Sequence, residues 1–175
     1  MTEKPSKNDY FSTIGEIAIK FGILEMLLKM ETWKLISNDR SAAYRITAGG
    51  SLPEIAVLFR SLFLYRVSDP PLVQKCQELY DSLEKIKDNR NEYLHSEWFI
   101  MQLDGETVAT RLKARKRDKL GLKVNIDQNM MDKLKNFLSD MDKATGELRS
   151  LMDKSIILIE AHKKKNENQT AISFQ

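Results

Sequence analysis

A chain of 175 residues and 20.3 kDa is long enough for one domain with its own core. Its 28 Lys and Arg against 25 Asp and Glu leave a net charge of +3, which neither demands nor excludes a polyanionic partner. Seven Gly and four Pro argue against a loop-rich β-sandwich, a hydrophobic fraction of 42% argues against wholesale disorder, and a lone cysteine, Cys76, excludes an internal disulfide framework and any Cys-based zinc site.

With only two histidines besides Cys76, no metal site and no cofactor are expected. Residues 1–9 are polar and carry no apolar signal-like run. The most apolar stretch, Leu52 to Val67, contains Pro53, Glu54, Arg60 and Arg66 and is too short for a bilayer. The expectation is a soluble, cytoplasmic, single-domain protein over 1–175, with no membrane partner and flexible tails at 1–9 and about 165–175.

Residues 10–37 predict a long first helix. One apolar stripe is Tyr10, Ile14, Ile17, Phe21, Leu24 and Leu28; a second is Ile19, Ile23, Met26, Met30 and Trp33. A surface helix needs one stripe, so two predict a helix covered on two sides at the centre of a bundle. Gly15 and Gly22, seven apart, lie on one face and permit close helix approach.

Residues 38–50 read as a loop. Ser51 and Glu54 form a capping-box pattern with Pro53 in the first turn, opening a second helix to about Val67. That helix is apolar nearly all round, which fits deep burial or half of an oligomer interface. Asp69-Pro70-Pro71 stops it. A third helix starts near Pro71, carries Leu72, Cys76, Leu79, Leu83 and Ile86, and ends around 95–98.

Trp98 to Leu103 is rich in strand formers, and Asp104-Gly105 suits a two-residue hairpin turn before a return strand over about 106–113. Leu122, Val124 and Ile126 alternate and suit an extended segment. Asp127 is a good N-cap for a last helix to about Lys164, with Leu134, Met141, Leu148, Ser155 and His162 seven apart. The expected fold is all-α: a bundle of four principal helices with a small β-hairpin inserted between the last two.

No P-loop, dinucleotide turn, HExxH, EF-hand loop or nucleophile elbow is present. One dense polar group remains, Asp88-Asn89-Arg90-Asn91-Glu92-Tyr93-Leu94-His95. On a helix, Glu84, Asp88, Asn91 and His95 share a face, whereas Arg90 falls about 140° from His95. An ordinary ion-pair cluster, with His95 as a helix C-cap, is the plain structural alternative.

Arg90-Asn91-Glu92-Tyr93-Leu94-His95 resembles the R-x4–6-H motif of the HEPN superfamily. Gly15, Phe21 and Leu24-Glu25 in the first helix, and Ser96 and Trp98 after the histidine, are similar to a branch of small bacterial HEPN-like proteins. The resemblance covers most of 10–160. It implies a metal-independent endoribonuclease, a toxin or phage-defence component, acting as a homodimer whose two Arg90/His95 pairs line one cleft. A partner protein or antitoxin belongs to that setting. The implied chemistry is attack of an RNA 2′-OH on the adjacent phosphorus. His95 transfers the proton, since histidine ordinarily titrates near neutrality. Arg90 holds the phosphate and Asn91 fixes the imidazole or donates to phosphate. Glu84 and Asp88 support the imidazole. The same fold also serves as a non-catalytic dimerisation, adaptor or RNA-binding module.

The basic run Arg111, Lys113, Arg115, Lys116, Arg117 and Lys119 has the composition to track an RNA backbone, or equally to charge a hairpin edge against aggregation. Trp98 could stack a base, although aromatics leaving a helix more often pack into a core. His162 and Cys76 read as packing residues.

Overall fold

A computed structural model describes residues 5–36, 39–103, 106–112, 124–126 and 129–173. Five α-helices and three strands follow in the order α1 (Lys7–Ile36), α2 (Arg40–Thr47), α3 (Leu52–Arg66), α4 (Pro70–Leu94), β1 (Glu97–Leu103), β2 (Glu106–Leu112), β3 (Val124–Ile126) and α5 (Met130–Ser173). The chain is mostly helical. No helix among the described residues is long and apolar enough to cross a membrane.

The helix starts are written in short polar side chains. Ser6 and Asp9 open α1 reciprocally: the Ser6 backbone N–H donates to Asp9 Oδ2 at 2.7 Å, and the Asp9 N–H donates to Ser6 Oγ at 3.3 Å. The Ser6 N–H foremost, and then the Ser6 hydroxyl, which also donates to Asp9 Oδ2 at 2.7 Å, hold the Asp9 carboxyl below its ordinary range. Ser51 and Glu54 form the expected capping box on α3, and Ser51 lowers Glu54 in the same way. Asp69 Oδ1 accepts the Leu72 N–H at 3.0 Å and starts α4, whose first two residues are proline, tolerated where a donor has no intrahelical partner.

The sheet has the order β1-β2-β3, antiparallel throughout. Leu103 pairs with Glu106 at one end and Glu97 with Leu112 at the other, while Leu112 also pairs with Val124. The expected turn residues Asp104 and Gly105 and the expected cap Asp127 lie outside the described residues.

The chain divides into two units. One comprises Met1–Ile23 and Ile86–Asp142. Its buried residues include Tyr10, Ile17, Phe21, Ile86, Ala109, Met130, Leu134, Phe137 and Met141. Lys20 bridges Glu16 at 3.2 Å and Asp142 at 2.6 Å, and the bond to Asp142 raises the lysine above its ordinary range. The other unit comprises Leu24–Lys85 and Lys143–Gln175, with Leu24, Leu28, Leu35, Phe59, Phe63, Leu79, Leu83, Leu148 and Met152 buried. Cys76 is buried there too, and burial pushes its thiol up to about 11 against the opposing pull of Arg60.

Four expectations need correction. The segment 38–50 is not simply a loop. Asp39 accepts the N–H groups of Ser41 and Ala42 and caps α2, which buries Ala43 and Thr47 four residues apart. The first helix is covered along one stripe only: Tyr10, Ile17, Phe21, Leu24 and Leu28 are buried, while Ile19, Ile23, Met26 and Met30 are exposed. The helix of Leu52–Arg66 is not buried all round, since Val57, Leu64 and Tyr65 face outward. At the termini, α1 starts at Lys7 on its own cap, and α5 runs past Lys164 to Ser173 because no glycine or proline interrupts it after Gly146.

Candidate functional site

The last turn of α4 is closed by side chains from beyond it. A helix end leaves its final carbonyls without intrahelical donors. Here the His95 N–H reaches Asn91 O at 3.4 Å, Ser96 Oγ donates to Glu92 O, and the Trp98 indole N–H donates to Tyr93 O at 2.7 Å. Ser96 and Trp98 therefore cap the helix through their side chains. The His95 side chain is free of that task and points elsewhere.

It points at Arg90. Arg90 Nη1 lies 2.7 Å from His95 Nε2, and the same nitrogen donates to Asn91 Oδ1 at 3.1 Å. Guanidinium nitrogens only donate, so a hydrogen bond across this contact uses the lone pair of Nε2. The sequence-based separation of 140° fails for a definite reason. The helix ends at Leu94, His95 sits in the bend that follows, and helical angles no longer apply to it.

Beneath the guanidinium is Phe21, whose ring centroid is 5.0 Å from Arg90 Cζ. The negative face of the ring suits a cation and fixes its plane. Phe21 is buried in the α1 stripe, so the arginine is seated on core rather than waving in solvent. Arg90 Nε is buried and has no hydrogen-bond partner among the described residues. His95 and Asn91 are exposed. Tyr93 packs on Phe137 at 5.4 Å and on Trp98 at 6.5 Å between centroids, which anchors the chain on either side of the histidine.

The structure thus brings Arg90, Asn91 and His95 together. Asp88 is exposed and lies 3.5 Å from Lys87. Glu84 sits half-buried one turn earlier on α4. Trp98 acts as a half-buried cap rather than an open stacking platform, with Phe99 the exposed aromatic beside it. Arg111 pairs with Trp98 through the backbone of β2, and Lys113, Arg115, Lys116, Arg117 and Lys119 lie outside the described residues. The side chain of His162 is likewise outside them. No group of three or more His, Cys, Asp or Glu is placed to hold a metal among the described residues.

Comparison of the chain with protein-family models, with curated proteins and with solved structures finds no match. The chemistry of the site therefore rests on its own geometry.

Phe21 is the participant that spacing alone did not assign to the site. It belongs to an apolar stripe, and an arginine in an apolar register is its only trace: Arg90 continues the stripe Leu79, Leu83, Ile86 by one step.

Proposed function

We propose that the chain is a metal-independent endoribonuclease of HEPN type, with Arg90 and His95 as its reacting pair. The observation that carries the proposal is the 2.7 Å approach of Arg90 Nη1 to His95 Nε2 at the exposed end of α4. A base and a phosphate-binding cation must lie within one phosphodiester of each other, and these do. In the reaction, Arg90 turns from His95 Nε2 to the phosphate, and the 2′-OH attacks the adjacent phosphorus as its proton passes to the Nε2 lone pair so released. The P–O5′ bond breaks, and the departing 5′-oxygen takes that proton back from the imidazolium, leaving a 2′,3′-cyclic phosphate and a 5′-OH. Arg90, turned to the phosphate, presents its N–H donors to the non-bridging oxygens. Asn91 holds the guanidinium and adds a polar contact for phosphate.

The basic run supports an RNA substrate. Glu97, two residues after His95, pairs with Leu112, the last residue of β2, and the basic residues Lys113 to Lys119 follow Leu112 in the sequence. Because each chain pairs its own arginine with its own histidine, the two groups meet without residues from a second copy. A toxin or phage-defence role, with a partner protein that restrains the activity, is the setting proposed with it.

The test is a cleavage assay on a broad RNA panel in EDTA, with analysis of the product ends. Wild type should cleave and leave cyclic phosphates. His95→Ala and Arg90→Ala should abolish cleavage at unchanged melting temperature, Arg90→Lys should recover only part, because an ammonium cannot present the planar fork, and His162→Ala should stay active. An inactive wild type, with both alanine variants losing stability instead, would assign the cluster to helix-end packing and the chain to a binding or adaptor role.

A further inference from the structure

The short helix α2 turns a cationic and aromatic face outward. Ala43 and Thr47 are buried, while Arg40, Ser41, Tyr44 and Arg45 are exposed. At about 100° per residue those four follow one another around the helix as Arg40, Tyr44, Ser41, Arg45, within an arc of about 140°. Two guanidinium groups thus bracket a phenol ring and a hydroxyl. Together with Trp33 they line a groove of about 480 Å³, wholly within the unit of Leu24–Lys85 and Lys143–Gln175. That volume falls among the roughly 300–1,000 Å³ of small-ligand sites.

The fold leaves the polar groups of this groove unused. An arginine on a helix surface gains from an acid three or four residues away. Yet α2 contains no Asp or Glu, and neither Arg40 nor Arg45 has an ion-pair partner among the described residues. Asp39, just before the helix, accepts the N–H groups of Ser41 and Ala42. Arg40 also stands in the first turn, where a positive charge opposes the helix dipole. The hydroxyls of Ser41 and Tyr44 have no hydrogen-bond partner among the described residues either. The aromatic wall, by contrast, is fixed. The Trp33 indole N–H is held by Thr47 Oγ1, and Tyr44 meets the indole edge-on, with centroids 6.0 Å apart and planes at 68°. Two rings so inclined leave a corner where a third planar group lies face to one and edge to the other.

We infer that this groove binds a small phosphorylated aromatic, its ring in the corner of Trp33 and Tyr44 and its phosphate between Arg40 and Arg45. A phosphate monoester approaches two negative charges, which matches two guanidinium groups, and its three terminal oxygens serve both planar forks and the Ser41 hydroxyl. Nucleoside monophosphates and phosphotyrosine share this chemistry. A nucleic-acid strand matches it less well, because a phosphodiester brings one charge to two cations and α2 carries no further basic residue to follow a backbone.

The inference does not depend on the ribonuclease reading, since Arg90 and His95 belong to the other unit. It is tested on the full chain by proton–nitrogen correlation NMR, read at the indole N–H resonances of Trp33 and Trp98. The probes are adenosine 5′-monophosphate and O-phosphotyrosine, with adenosine and inorganic phosphate as partial ligands. At least one probe should shift the Trp33 resonance saturably, with a dissociation constant between about 10 µM and 1 mM. The tighter probe identifies the source of the ligand. Adenosine and phosphate alone should bind at least about tenfold more weakly. Arg40→Gln and Arg45→Gln should each weaken binding by roughly tenfold, the scale of one hydrogen bond to a charged group, and melt no lower than wild type. A Trp33 resonance unmoved by both probes at about 10 mM, a shift confined to Trp98, a partial ligand as tight as the whole, or arginine variants that bind as wild type does would each overturn the assignment. A single-stranded RNA without terminal phosphates that binds more tightly than either probe would overturn it too, and make the groove a site for nucleic-acid strands.

Discussion

Replacing Thr47 with valine tests the docking of α2, the element least visible in the sequence. The Trp33 indole N–H donates to Thr47 Oγ1 at 2.6 Å, and that hydroxyl donates in turn to the carbonyl of Ala43 or Tyr44, at 3.1 and 3.2 Å. Thr47 is 1% exposed, so its volume must be kept, which valine does. The substitution leaves the indole N–H without its acceptor, an omission that costs about 1–3 kcal/mol when the donor is buried. Trp33 is half-buried and water can reach part of it, so the lower half applies, about 1–2 kcal/mol. For a chain of this size that lowers the melting temperature by roughly 2–8 °C. Urea denaturation followed by far-UV circular dichroism measures the change. Trp33→Phe removes the other partner, and the double variant should show a coupling of about 1 kcal/mol. Strict additivity of the two substitutions would refute the bond as the tie that holds α2 to α1.

Leu83 is 2% exposed, and Leu83→Ala should cost about 2–5 kcal/mol, read as a shift in the urea midpoint. Gly49 has a φ of 79°, in the left-handed region, and Gly49→Ala should destabilise by about 1 kcal/mol in the same assay. The Cys76 thiol should resist Ellman's reagent at pH 8 in the native protein and react once the chain is unfolded. Its raised value also sets a sign. The folded state keeps the proton up to about 11 while an unfolded thiol loses it near 8.5, so the contribution is intact below 8.5 and is lost as pH rises through that window. Wild type should lose more stability than Cys76→Ala between pH 8 and 11, and equal losses would count against the burial argument.

Much of the architecture is legible in single residues. The capping box of Ser51 and Glu54 marks the start of α3, Pro70 and Pro71 mark that of α4, and the alternation around 98–112 marks the strands, because these depend on chain-local chemistry. The segment 39–47 is hidden because α2 is short and its apolar face is small. Ala43 and Thr47 read as neutral until Trp33 is known to lie against them. The site follows the same division. Arg90, Asn91 and His95 are visible as a cluster of chemical types. Their meeting at 2.7 Å depends on the helix ending at Leu94, which the caps from Ser96 and Trp98 enforce.

Spacing alone settles the helical character, the two apolar stripes of α1 and the residue types available for phosphate chemistry, since periodicity follows from the geometry of one helix. Which of two equivalent apolar stripes is covered cannot follow from one helix. Both repeat at the same interval, and only the packed neighbours choose Ile17, Leu24 and Leu28 over Ile19, Ile23 and Met26. In the same way, an arginine in an apolar register becomes a seated cation only when Phe21 arrives beneath it from a helix almost seventy residues earlier in the chain. Non-local burial decides such choices because desolvation depends on every group nearby and not on the order in which the chain presents them.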